Sequence, residues 1–203
     1  MHVQPFAYCP YYCEENIYKL CQTFAADDGY NKELSVVFIS NDEGKVPIQR
    51  QTVAENVGGT VVWDYHVIAV ERDGDTSVIY DLTSQLPRPC PVALYARQAL
   101  GPANTWRFTR MFRVIPAALY LEHFASDRSH MLDASSLSDP PVYNRPPPDY
   151  PCIVSRSGDI MTLPFYWTMH NDGVAYTDGR YGRVYSEDAF MMMHGAYAGN
   201  GTA

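Results

Sequence analysis

Between Thr60 and Leu82 the chain reads TVVWDYHVIAVERDGDTSVIYDL, and no other stretch narrows its fold as much. Two runs rich in Val, Ile, Tyr and Trp, residues 60–71 and 76–82, flank the sequence RDGD, so two strands joined by a tight turn are expected. Asp73-Gly74 is a strong two-residue hairpin turn. With that pair at the tip, residues whose numbers total 147 face each other, which sets Arg72 opposite Asp75 and His66 opposite Asp81. Opposed Cβ atoms lie about 4.5–5.5 Å apart, close enough for a carboxylate to hydrogen-bond an imidazole. A Gly74-Asp75 turn would raise the total to 149 and set His66 opposite Thr83, so the pairing depends on the turn. The run SVVFIS (35–40) adds a further strand.

A helix precedes this sheet. From Glu14 to Asp28 the apolar residues Ile17, Leu20, Cys21 and Phe24 recur at amphipathic spacing, with Glu14 and Glu15 in the first turn and Gly29 as the stop. Cys13 therefore falls at or just before the helix N-terminus, where free N–H groups and the positive end of the dipole favour a thiolate. Alone, such a cysteine is more often buried packing.

The 203 residues suffice for one substantial core and not for two full-sized domains, so a single domain spanning 1–203 is expected. A net charge of −8 argues against nucleic acid and anionic membranes as partners, and no apolar run is long enough to span a bilayer. With a start that is neither basic nor apolar, the expected location is the cytoplasm, with the nucleus also open. Five cysteines without a CxxC pair and six scattered histidines suggest neither a disulfide framework nor a metal site.

After the hairpin, PRPCP ends the sheet and residues 92–100 read as a short helix. FRVI (112–115) reads as a strand and the segment after Pro116 as a helix. A long Pro-rich loop is expected at about 126–151, short strand-like or helical pieces after it (MTLPFYWTM, GVAYT, SEDAFMMMHGAY), and a frayed tail at about 198–203. The fold class is α+β: an N-terminal helix carrying the cysteine, packed on a mainly antiparallel sheet.

A cysteine nucleophile needs a base within hydrogen-bond reach and a third group that fixes the base's tautomer. Cys13, His66 and Asp81 supply one of each, in the chain order of papain-like and transglutaminase-like folds. The segments YCEENIYKLC (12–21), VVWDYHV (61–67), VIYDL (78–82), FRVIPAALYLEHFASDRSHM (112–131) and PPPDYPC (146–152) together resemble the protein N-terminal glutamine amidohydrolase family. The resemblance covers about residues 8–152. Tyr18, where the family commonly has tryptophan, and the extended loop around 135–145 depart from the family's pattern, and the stretch after about 165 matches it only weakly. The resemblance implies a monomeric, cofactor-free hydrolase with Cys13 as nucleophile, His66 as base and Asp81 orienting it. Its substrates would be peptides and proteins with an N-terminal glutamine, converted to glutamate and ammonia in an N-degron pathway.

Recognition of a free α-ammonium calls for a carboxylate near the nucleophile. In the strand WDYH side chains alternate between faces, so Asp64 points to the same side as His66, roughly 6–7 Å along. Glu14 and Asp127 are the other candidates. Rival activities are a transglutaminase or a peptidase on the same three residues, or a silent module that binds N-terminal residues.

Overall fold

Val36 and Phe38 of strand β1 (Glu33–Ser40) point into one apolar cluster, and Val37 and Ile39 into another. The same alternation runs through β4 (His66–Asp73), where Val67 and Ala69 join the first cluster and Ile68 and Val70 the second. A sheet buried on both faces explains why these strands read as nearly continuous apolar runs. The structure is a computed structural model describing residues 7–54, 59–101, 107–135, 138–140, 142–170 and 176–195. The tail expected to fray and most of GVAYT lie outside the described residues.

The other strands are β2 (Val46–Gln49), β3 (Thr60–Trp63), β5 (Thr76–Tyr80), β6 (Cys90–Pro91), β7 (Met111–Pro116) and β8 (Arg183–Ser186). One sheet has the order β6-β5-β4-β1-β7-β8 and every neighbouring pair is antiparallel. Helices α1 (Cys13–Ala25), α3 (Ala117–His123) and α4 (Pro164–Trp167) contribute Ile17, Tyr120 and Tyr166 to the first cluster. Helices α2 (Val92–Tyr95) and α5 (Glu187–Met193) contribute Tyr95 and Phe190 to the second. The chain is thus α+β, with helices against both faces of an antiparallel sheet.

Two details of the expected hairpin need correcting. The run 60–71 is not one strand: the chain bends at Asp64 and Tyr65, and β3 leaves the main sheet to pair with β2. Nothing in WDYH announces this, since no Gly or Pro interrupts it. The ladder between β4 and β5 sets Asp73 opposite Thr76 and Ala69 opposite Tyr80, so the turn is Gly74-Asp75 and not Asp73-Gly74. Gly74 has φ of 58°, a left-handed value required at the first central position of a mirror-image hairpin turn and open to glycine without a steric cost. In the observed register His66 and Asp81 are diagonal rather than directly opposed. The two registers differ by an even step, so both residues stay on one face, and diagonal neighbours remain within reach of long side chains.

The start of α1 is pinned from several sides. The Asn16 side chain exchanges two 2.8 Å hydrogen bonds with the backbone of Cys9, and the Tyr120 hydroxyl donates to Glu14 O. Arg128 forks onto the buried Glu15 carboxylate with bonds of 2.9 and 2.8 Å and donates to Pro148 O, so the Pro-rich loop lies against α1. Arg128→Met would leave Glu15 buried without its cation, a loss of about 3–5 kcal/mol. Urea unfolding should show that loss; a change below about 1 kcal/mol would mean the pair does not hold the helix.

Candidate active site

Cys13 is the first residue of α1, and its sulfur packs against the start of β4. The backbone N–H of Val67, the residue after His66, faces the sulfur and favours its thiolate. His66 is fully buried; its Nε2 lies 3.0 Å from Asp81 Oδ1. Its Nδ1 is buried with no hydrogen-bond partner among the described residues. Trp63 stacks on the imidazole at 5.3 Å between centroids and 18° between planes, which fixes the ring's orientation.

Asp81 follows directly after β5 and accepts four hydrogen bonds. His66 Nε2 and the Thr83 N–H meet Oδ1; Gln51 Nε2 and the Tyr95 hydroxyl meet Oδ2. Burial pushes this carboxyl up, but the charge and hydrogen bond of His66, with those of Gln51 and Tyr95, outweigh it and hold Asp81 below its ordinary value. An ionised Asp81 favours the His66 tautomer with the proton on Nε2, leaving Nδ1 as a base. Gln51 and Tyr95 are absent from the sequence-based set because no spacing relates them to the cysteine or histidine. The Val67 amide, a backbone donor, leaves no side-chain mark to find.

The Cys13 thiol differs from the activated thiolate expected at a helix start. Burial pushes it well up, and the adjacent Glu14 carboxylate pushes the same way, against the Val67 N–H. Alkylation of Cys13 by iodoacetamide in the ligand-free protein should therefore keep rising with pH beyond 9.0, the thiol's ordinary value. A plateau near neutrality would instead reveal a thiolate already paired with imidazolium.

The three carboxylates considered for the ammonium separate clearly. Asp64 is exposed, lies in the bend outside β4 and accepts from its own neighbour, Tyr65 N, at 2.9 Å. It lines a cavity of about 370 Å³ with Asp42, Trp167 and His170, and the face it was expected to share with His66 is lost in the bend. Asp127 caps Ser129 N at 2.9 Å. Glu14 is fully buried, with Oε2 3.6 Å from Cys13 Sγ and Oε1 3.6 Å from His130 Nε2. Among the described residues no group of three or more His, Cys, Asp or Glu side chains is arranged to hold a metal ion. No helix among them is long and apolar enough to cross a membrane.

Comparison with known proteins places the chain in a lineage. The N-terminal glutamine amidase family model matches residues 8–194. The protein N-terminal glutamine amidohydrolase of Arabidopsis thaliana is 37% identical over 177 residues, 83% of this chain and 78% of the relative. The Bos taurus protein of that name is 45% identical over 152 residues, 73% of this chain and 70% of the relative. The Homo sapiens one is 42% identical over 170 residues, 78% and 79% respectively. A match across nearly the whole chain, with relatives at these identities, means that the chain belongs to the N-terminal glutamine amidase family.

Proposed function

We propose that this chain hydrolyses the side-chain amide of an N-terminal glutamine, releasing ammonia and leaving glutamate, through a thioester on Cys13. The observation that carries the reading is the buried His66–Asp81 pair, 3.0 Å long, with His66 Nδ1 unpartnered among the described residues and the next residue, Val67, turning its amide toward the Cys13 sulfur. Family membership supplies the substrate class, because the relatives are named for N-terminal glutamine.

His66 Nδ1 takes the thiol proton as Cys13 Sγ attacks the glutamine Cδ. The tetrahedral oxyanion falls to backbone N–H groups of the first turn of α1, which precede the first intrahelical bond, Asn16 N to Tyr12 O at 2.9 Å. His66 gives its proton to the departing nitrogen, the C–N bond breaks and ammonia leaves. The thioester remains. Water, deprotonated by the same Nδ1, attacks the thioester; the C–S bond breaks, Cys13 regains its proton and the γ-carboxylate is released. Asp81 stays ionised and keeps Nε2 protonated. The activity resides in one domain of papain-like or transglutaminase-like construction that works as a monomer, without metal or cofactor, in the cytoplasm or nucleus. Its product, a new N-terminal glutamate, is a signal an N-degron pathway can read.

Mass spectrometry of a peptide library with varied first residues tests the reading. Peptides starting with glutamine should exchange NH₂ for OH at the side chain with no loss of chain and no cross-link. Cleaved peptides would point to a peptidase, amine-linked products to a transglutaminase, and saturable binding without any mass change to a silent module.

A further inference from the structure

The mechanism uses Cys13, His66 and Asp81 but leaves Glu14 without a task. A carboxylate with no exposed surface, one oxygen unpartnered among the described residues, is costly to fold around and needs a reason. Its surroundings supply only loose contacts: the Tyr65 hydroxyl faces the carboxylate, and His130 forms at most a long ion pair with it when protonated. Oε1 stands 3.6 Å from His130 Nε2, beyond hydrogen-bond length, and Oε2 stands 3.6 Å from a thiol, a weak donor. The neighbouring Glu15, by contrast, is fully engaged by the Arg128 fork.

We infer that Glu14 is the residue that selects N-terminal glutamine, its carboxylate binding the substrate's α-ammonium while the side-chain amide lies on Cys13. The inference rests on the amidohydrolase reading. Four bonds separate the Cδ of glutamine from its α-nitrogen, a reach of about 5 Å. With Cδ about 3–3.5 Å from the attacking sulfur, the ammonium stays within about 8 Å of it. A carboxylate 3.6 Å from that sulfur lies inside this range, and the second oxygen of the same group is the one without a partner. Asp64 can offer only an exposed oxygen, screened by water.

The incoming ammonium would replace the long contact with His130, whose side chain is 11% exposed and so marks the outward side of Glu14. A glutamine inside a chain brings a neutral amide with a single N–H to this place, together with the preceding residue. It cannot neutralise the buried charge, and its preceding residue is brought toward Tyr65 and His130, which stand beside Glu14. A site built around a charged hydrogen bond rejects an analogue lacking it far more strongly than an apolar pocket rejects a misfit. Docking also bears on the nucleophile: Glu14 is the nearest charge opposing Cys13 ionisation, and an ammonium beside it offsets that charge as the thiol proton moves to His66 Nδ1.

The test compares kcat/KM for ammonia release from a glutamine-initiated peptide and from its N-acetylated form, using the full-length wild type, Glu14→Gln and Asp64→Asn. Glu14→Gln should lose about 10- to 100-fold on the free peptide and little on the acetylated one, so the preference for a free amine collapses. Asp64→Asn should keep the wild-type preference. A folded Glu14→Gln that retains the preference, or its collapse in Asp64→Asn alone, overturns the inference while wild-type turnover keeps the amidohydrolase reading. No ammonia from wild type with either peptide overturns that reading and the inference together. Should Glu14→Gln fail to fold, Glu14→Asp decides: a retracted carboxylate should lower the preference, and unchanged preference refutes the role.

Discussion

Cys13→Ala is expected to remove turnover by at least about 10³-fold, since a covalent route has no substitute for its nucleophile. Position singles out this sulfur among the five. Cys21 lies two turns further along α1 in apolar packing, and burial raises its thiol to about 12. The Cys9 thiol contacts Pro146 O, Cys90 sits on the edge strand β6, and Cys152 is exposed. Only Cys13 combines the helix start with the amide that follows His66. Alanine at 21, 90 or 152 should therefore keep activity. A folded Cys21→Ala protein without turnover, beside an active Cys13→Ala, would move the nucleophile to residue 21.

Asp81→Asn should lower kcat by about 10⁴-fold while KM changes little, the size of effect seen when an orienting carboxylate becomes an amide in a serine hydrolase. All four hydrogen bonds to Asp81 come from donors, so an amide NH₂ must face at least one donor pair. Aimed at Gln51 and Tyr95 it leaves them unpaired; aimed at His66 it forces the proton onto Nδ1 and removes the base. The variant should also lose about 1–3 kcal/mol of stability from the orphaned donors. Because the folded carboxyl is held below its ordinary value of 3.8, its contribution to wild-type stability is complete above that pH. It fades as the pH falls through the folded value, a dependence the asparagine protein should lack. A decrease in kcat of under about tenfold in a folded protein would remove Asp81 from the mechanism.

The hairpin shows how a site can be legible while its register is not. Period-two alternation fixes which residues share a face, and His66 and Asp81 share one in either turn, so an error of even step moved the partner along the strand without turning it over. The α1 pattern from Ile17 to Phe24 was equally readable because one face meets the sheet. Asp64 was misplaced for the opposite reason: Trp63, Asp64 and Tyr65 have the composition of a strand, and the bend there follows from β3 pairing with β2, a tertiary preference no local pattern carries. Pro47 hid β2, although an edge strand of a two-stranded sheet tolerates it. Burial was the other hidden quantity. Glu14 and Glu15 both suit a helix's first turn, and only the packed structure separates the one clamped by Arg128 from the one left facing the thiol.

The proposed thioester is the step on which the reading turns, and hydroxylamine tests it directly by competing with water for that intermediate. Wild-type protein turning over a glutamine-initiated peptide in dilute hydroxylamine should release ammonia as fast as before while the γ-hydroxamate appears at the expense of glutamate. Formation of glutamate alone, with no hydroxamate at any hydroxylamine concentration that leaves the protein folded, would contradict an acyl-enzyme on Cys13.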